Sequence, residues 1–477
     1  MTNRFYEHIK RAGRCIAATL ACATVAACSL DIPYENQFSD PDAITTPTVA
    51  RELLATAYAQ LPFPEYELST LADDFETTFL IANNTSLSNL YGWENQPITD
   101  LSNTLWQSYY AAVGMANAML DRVPYVVTET DSERQQLQQT VAEAKILKAY
   151  CYFCLLRLYA PDYADGTDYD GIILKEHLGL EFLKRSTTAE CVAAIRNLLT
   201  DALATVKDGE EYWFSKTAAQ YLMAQVELFA GNYAEAATYA QSVIDSKGGY
   251  NALGSNAYTN LFTNDNCDER IFSISTTNAY YSDNQYDSEK GDFMTVNSNL
   301  VKLFEEGDLR RNGTIYIFRM ATQTIGDSID TPFLAKYNLQ RNYLKKDVNK
   351  VNKFRLAGAC LMLAEAYCRD GKAPQAIEVL NNYLEKRQAT PADQTLTGDA
   401  LLKVIVQERW KEFEGEGERY FDLKRFRKTI LNGWNTGISK KNRVTADDYR
   451  WNFPLPTGEY LYNDNVKQNE GWETIKN

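Results

Sequence analysis

Two segments of this chain superimpose on one another, and that repeat limits the fold more than any other feature. In TAAQYLMAQVELFAGNYAEAATYAQSVI, Ala224, Gly231 and Ala236 are spaced by seven and five residues; in RLAGACLMLAEAYCRDGKAPQAIEVLNNYL, Ala364, Gly371 and Ala376 repeat that spacing. Each segment reads as a helix, a tight turn and a second helix, because small alanines let paired helices approach closely and the glycine ends the first one in a left-handed conformation. Gly231 and Gly371 are therefore expected at positive φ. Other amphipathic stretches, at about 47–60, 101–122, 132–159, 187–206 and 399–413, can supply further helix pairs. Two repeats so far apart cannot stand as a stack by themselves, so intervening helices are expected to fill the gap.

The expected fold class is thus mainly α, with tetratricopeptide-like helical repeats and long irregular loop insertions. The insertions are chiefly 61–98, 247–352 and 430–477, polar and aromatic-rich without helical period. Stretches of that length in a compact protein are functional or packed insertions. Two of them alternate aromatics with Asn, Asp, Ser and Gln: Phe63, Tyr66, Tyr91 and Trp93 in one, Tyr280, Tyr281 and Tyr286 in the other. Flat rings stack on apolar faces of sugars or on peptide side chains, and neighbouring amides and carboxylates bond polar groups. The same rings could equally plug the scaffold core or face a partner. The candidate ligand contacts are Tyr66, Tyr91, Trp93, Tyr280, Tyr281 and Tyr286.

The N-terminus carries an address. Residues 1–14 hold Arg4, Lys10, Arg11 and Arg14 against Glu7, and Cys15–Ala27 is uncharged and mostly apolar, the pattern of a signal peptide. This run of 13 residues is too short for the ~20 that a spanning helix needs. It ends Val25-Ala26-Ala27-Cys28, which resembles a bacterial lipobox, so residues 1–27 are expected to be removed and Cys28 acylated. Several acyl chains on one residue anchor stably, at roughly 0.8 kcal/mol per buried methylene. Cleavage moves the net charge from −15 to −18. So acidic a chain, without a basic block, is a poor partner for nucleic acid.

Little catalytic chemistry is left. Once residues 1–27 go, His177 is the single histidine, which excludes a two-histidine metal site and leaves any Ser-His-Asp or Cys-His arrangement dependent on it. No phosphate-cradling glycine loop, G-x-S-x-G or zinc-protease motif is present. Asp162, Asp165, Asp168 and Asp170 follow a calcium loop only loosely, lacking its spacing and closing Glu, so a solvated loop is the favoured reading over a cation site. Cys151 and Cys154 form a C-x-x-C, but they share one helical face with Ala144, Leu147, Leu155 and Leu158, which favours buried thiols over redox or zinc chemistry. No cofactor and no metal are implied.

Several motifs then point to one family. Cys28-Ser-Leu-Asp-Ile-Pro resembles the start of mature SusD/RagB lipoproteins, and Ala142–Phe153 and Arg355–Ala366 resemble two of their helical signatures. QERWKEFEGEGERYFDLKRF (407–426), paired with NFPLPTGEYLYNDNVKQNEGW (452–472), is similar to the family's most specific pair of motifs. Gly358 stands where Glu is usual, Gly415 where an aromatic is usual and Glu418 where His is usual, departures that bear on local packing. Glu408, Arg409, Glu412, Arg419, Asp422 and Arg425 alternate in sign at near-helical spacing, which suits a partly buried salt-bridge network holding the helices to the C-terminal segment.

The resemblance implies a SusD-like fold, with an N-terminal helical region over 28–250 and a C-terminal RagB/SusD region over 251–477. It implies a surface-exposed, lipid-anchored outer-membrane protein that is not an enzyme. Such a protein captures a nutrient, oligosaccharide or polysaccharide more commonly than peptide, and delivers it to a SusC-like TonB-dependent transporter. A repeat scaffold or adhesin component at the cell surface is the alternative.

Overall fold

Helices start where the sequence places a side-chain oxygen ahead of an amphipathic run. The computed structural model describes residues 44–472, apart from 164–165, 255–257, 264, 276–285, 288–290, 322–325, 338–349 and 431–443. Helix α1 (Pro47–Tyr58) begins at Thr46, whose Oγ1 accepts from the Val49 amide at 3.3 Å, and Pro47 fills a first-turn position that needs no donor. Next come α2 (Glu65–Leu71), β1 (Phe75–Thr77), α3 (Thr85–Tyr91) and α4 (Asn95–Arg122). α5 (Asp131–Tyr159) and α6 (Thr188–Leu203) each open on a capping box, Thr130 with Glu133 and Thr187 with Glu190. The first repeat is α7 (Lys216–Phe229) and α8 (Tyr233–Ser246). A strand-rich segment follows: β2 (Arg270–Ser275), β3 (Tyr286–Asp287), β4 (Gly291–Asp292), β5 (Met294–Val296), α9 (Ser298–Val301), α10 (Leu309–Thr314), β6 (Ile315–Ala321), β7 (Ser328–Leu334) and β8 (Lys350–Arg355). The second repeat, α11 (Leu356–Arg369) and α12 (Ala373–Lys386), leads into α13 (Gly398–Phe413), α14 (Glu418–Arg425) and α15 (Thr457–Leu461).

Both repeat glycines are the expected turns, with φ 77° at Gly231 and 74° at Gly371. The expected gap between the repeats does not exist. α8 packs directly on α11, so α5, α6, α7, α8, α11 and α12 form one continuous stack, and the chain between the repeats loops away from it. Ala224, Ala236, Ala364 and Ala376 are fully buried along this stack, the small-residue contacts that close helix approach requires. The core draws on residues from both sides of 250. The final segment is clamped to α4 and α5 by backbone acceptors: Ser102 Oγ donates to the Pro454 carbonyl at 2.6 Å, and the Phe453 amide to the Leu158 carbonyl at 3.0 Å.

The aperiodic stretches are more structured than their sequence shows. Residues 61–98 contain α2, β1 and α3, and residues 247–352 supply most of a second apolar core around Tyr258, Phe262, Phe293, Phe333 and Tyr337. All its strand pairs are antiparallel: β1 with β5, β2 with β8, β3 with β4, and β6 with β7. β2 and β8 dock on the helices through stacked rings, Phe214 on Phe272 at 4.0 Å and Tyr221 on Phe354 at 4.5 Å between centroids. Such pairs contribute about 0.5–1.5 kcal/mol beyond their burial.

The alternating charges on α13 and α14 do form a buried network, but its partners are not in the C-terminal segment. Glu412 is fully buried and lies between Arg387, whose Nε is 3.0 Å away, and Arg355; Glu269 joins the same two guanidinium groups at 2.7 and 3.2 Å. Burial would raise Glu412, yet the two arginines outweigh it and hold its carboxyl well below the usual range. Asp422 takes Arg409 at 3.0 Å and Arg425 at 2.7 Å; Arg425 also binds Glu365 of α11, and Arg419 binds Asp73 at 2.6 Å. The network therefore fastens α13 and α14 to the repeats and to the second core, because the buried guanidinium groups come from the end of β8 and from Arg387, which caps α12. Two of the unusual residues fit their neighbours. A side chain at Gly358 would meet the Tyr221 hydroxyl at 1.9 Å, and one at Gly415 (φ +70°) would meet Leu334 Cδ2 at 2.5 Å.

Candidate ligand-binding face

Three of the expected ligand contacts are core residues. Trp93 is 0% exposed; its Nε1 donates to the Leu71 carbonyl at 2.8 Å, and its ring packs edge-on against Trp451 with centroids 4.8 Å apart. Tyr66 packs against Phe75 at 5.6 Å and Tyr91 is likewise buried; burial pushes the Tyr91 phenol well above its usual value. No face of these rings is open to a sugar or peptide, so stacking there is withdrawn. The physical reason is that Tyr420 and Trp451 close over Trp93, whose Nε1 finds its acceptor within the protein, while the second apolar core closes over Tyr66 and Tyr91. Tyr280 and Tyr281 lie outside the described residues, as does Cys28. Tyr286 is placed by its backbone, in β3, paired with Asp292.

The structure offers other rings to solvent. Among the described residues, the exposed large apolar side chains include Ile317 (50%), Phe318 (41%) and Ile329 (51%), all on the β6–β7 hairpin. Tyr316 and Phe318, two residues apart and so on one face of β6, stack with centroids 6.4 Å apart and planes 21° from parallel. Tyr316 faces Phe333 across the hairpin, which roots this end in the second core, while Phe318 faces Thr331. On the opposite face of the hairpin Arg319 Nε donates to Ser328 Oγ at 2.7 Å and Arg319 lies within 3.9 Å of Asp330. β7 packs beside β5, and β5 follows directly on the β3–β4 pair that carries Tyr286. The β3–β4 pair is thus separated from a neighbour of the hairpin by a single residue of chain. Tyr316 and Phe318 escaped the sequence reading, although their i, i+2 spacing within the apolar alternation of TIYIFRM is a strand signal.

The remaining exposed apolar residues, Tyr125, Val127, Leu178, Leu180, Phe182, Leu461 and Tyr462, lie on other segments. The 178–183 and 461–465 segments are stitched together, with Asn463 Nδ2 donating to the Leu183 carbonyl at 2.8 Å and Asn465 Nδ2 to the Phe182 carbonyl at 3.0 Å. His177 sits on an exposed loop 3.0 Å from Asp121, whose hydrogen bond and charge raise its pKa. Asp168 is bonded to Thr188 and the Ala189 amide at 3.0 Å and caps α6. Among the described residues no group of three or more His, Cys, Asp or Glu is arranged to hold a metal, and no helix is long and apolar enough to cross a membrane. Cys151 and Cys154 are buried free thiols, and burial raises both.

Two family models match overlapping parts of the chain. Residues 30–228 match a model described as "Starch-binding associating with outer membrane", and residues 216–472 match the SusD family. The chain belongs to the SusD family. A curated relative, SusD-like protein P2 of Formosa agariphila, is 22% identical over 414 residues, covering 76% of this chain and 79% of the relative. The starch-binding protein SusD of Bacteroides thetaiotaomicron is 32% identical over 123 residues, 25% of this chain and 21% of that protein. A SusD superfamily crystal structure from Bacteroides vulgatus superposes with a TM-score of 0.76 at 21% identity, covering 90% of this chain and 100% of the other. The SusD fold is thus the fold of this protein, mainly helical with tetratricopeptide-like repeats.

Proposed function

We propose that this SusD-family protein is a non-enzymatic lipoprotein of the outer membrane, acylated on Cys28 and exposed at the cell surface. It captures an oligosaccharide and delivers it to a SusC-like TonB-dependent transporter. The observation that carries the reading is the solvent-facing Tyr316–Phe318 pair on the hairpin. A stacked, partly rooted pair of rings offers a sugar a flat apolar surface for its C–H groups. The family description as starch-binding, and a neighbouring structure described as a putative sugar binding protein, support carbohydrate as the cargo class. Leu178, Leu180, Phe182, Leu461 and Tyr462 supply an apolar face that a transporter would cover.

A glycan and peptide array probed with the purified protein tests the cargo. Retention on oligosaccharides supports the reading; retention on peptides alone replaces carbohydrate with peptide cargo, and retention on neither favours a surface scaffold. The anchor has its own test. Cys28→Ala is expected to move the protein out of the membrane fraction, and an unchanged fraction would contradict acylation at that residue.

A further inference from the structure

A cleft of about 150 Å³ opens among α5, α7, α11, α14 and β8, and no residue of the β6–β7 hairpin lines it. At roughly 10–15 Å³ of such space per water, it has room for about ten waters, the scale of a small metabolite and not of a polymer. Its floor includes Tyr109, Tyr150, Cys154 and Tyr221; Phe229 and Tyr233 stand at partly exposed positions along its edge.

Arg157 differs from every other guanidinium group lining this cleft. Arg409 and Arg425 are held by Asp422 and Glu365, Arg355 by Glu412, Glu416 and Glu269, and Arg369 by Glu365 at 3.0 Å. Arg157 lies over the rings of Phe153 and Phe421, at 4.8 and 3.9 Å from their centroids, contacts that use the face of the guanidinium and spare its in-plane N–H edge for recognition. Among the described residues none of its N–H groups donates a hydrogen bond, and its Nε is buried without a partner. Its one ionic neighbour is Glu418, with Nη1 to Oε2 at 3.5 Å. Glu418 in turn accepts no hydrogen bond among the described residues, its other cation being Arg409 at 3.8 Å. An in-plane donor edge and an open carboxylate, both lining one cleft and 3.5 Å apart, match a molecule that carries an anion and a cation on adjacent atoms. A bare anion would be repelled by Glu418 and a bare cation by Arg157; a zwitterion satisfies both.

We propose that this cleft binds a free α-amino acid, its carboxylate on the guanidinium edge of Arg157 and its ammonium group on Glu418. The side chain lies along the apolar wall formed by Phe229, Leu228 and Met362, which favours an uncharged amino acid. Site and sugar-binding hairpin are independent of each other.

The test is calorimetry on the purified full-length protein with L-leucine, L-alanine, acetate and methylammonium as probes. At least one of the two amino acids is expected to bind, with acetate and methylammonium each at least tenfold weaker. Glu418→Gln, at a position 25% exposed, should fold normally and weaken the amino acid at least tenfold without weakening acetate. Arg157→Lys should weaken both carboxylates, because a lysine keeps the charge but loses the planar fork. Failure of both amino acids to bind at 10 mM to the folded wild-type protein would overturn the proposal. So would acetate binding as tightly as the amino acids with no response to Glu418→Gln, which would make the cleft a simple anion site.

Discussion

Trp93 stands among polar neighbours in the sequence and Phe318 in an apolar strand pattern, yet the first is fully buried and the second is 41% exposed. The difference lies in what closes over each ring. Trp93 follows α3 with a positive φ of 59° and is covered by Tyr420 and Trp451, which come from chain more than 300 residues later. Phe318 sits on a two-stranded hairpin, beside Tyr316, where the residue as a whole stays partly open to solvent. Polar company in the sequence therefore does not mark a ring as exposed; the long-range contacts of the second core and C-terminal segment decide it.

The largest effect is expected from removing what holds the helices and the second core together. Glu412→Ala leaves Arg355 and Arg387 facing one another with a carboxylate missing, and is expected to cost about 3–5 kcal/mol, read as loss of cooperative melting or a large fall in its midpoint. A variant melting like wild type would show that Glu269 alone can neutralise both arginines. Trp93→Ala should cost a similar or slightly smaller amount, about 3–5 kcal/mol, through the cavity it leaves and the orphaned Leu71 carbonyl. If that variant instead kept its stability and lost ligand, the ring would belong to the binding face after all.

Gly371→Val is expected to cost about 1–2 kcal/mol, from backbone strain at φ 74° with open space for the side chain itself. Measured by denaturant midpoint, an unchanged stability would mean that the repeat turn tolerates a branched residue. The smallest effect concerns protons. Burial raises Asp74 to about 6 and Glu67 and Glu414 to about 7, so the folded protein binds these protons more tightly than the unfolded chain. Their contribution is full below the unfolded values of 3.8 and 4.5 and is lost as pH rises through about 6 to 7. Glu414→Gln should flatten the fall in melting temperature across that window; an unaltered slope would place the titration elsewhere.

The repeat helices were legible because their signals are local. Apolar period, alanine spacing and the glycine turns all act within one or two helical turns. The direct contact of α8 with α11 was not legible, since nothing in the sequence says that the segment between the repeats leaves the stack. The ionic residues of α13 and α14 were recognisable as a network, but their partners Arg355, Arg387 and Glu269 are distant in the chain. The ligand face was read least well. Buried Tyr66, Tyr91 and Trp93 carry the same aromatic and amide pattern as a sugar-binding loop, while Tyr316 and Phe318 look like an ordinary strand.

The central claim is that cargo is held by the hairpin rings and not by the buried ones. Calorimetry with an array-identified oligosaccharide, comparing wild type with the Tyr316→Ala, Phe318→Ala double variant, tests it most directly. Stacking of a ring on an aromatic contributes about 1–3 kcal/mol by analogy with base stacking, so affinity is expected to fall at least tenfold. Because Phe318 is exposed and Tyr316 only half-buried, the melting temperature should change little. Wild-type affinity in a folded double variant would contradict the account and remove the hairpin from the binding face.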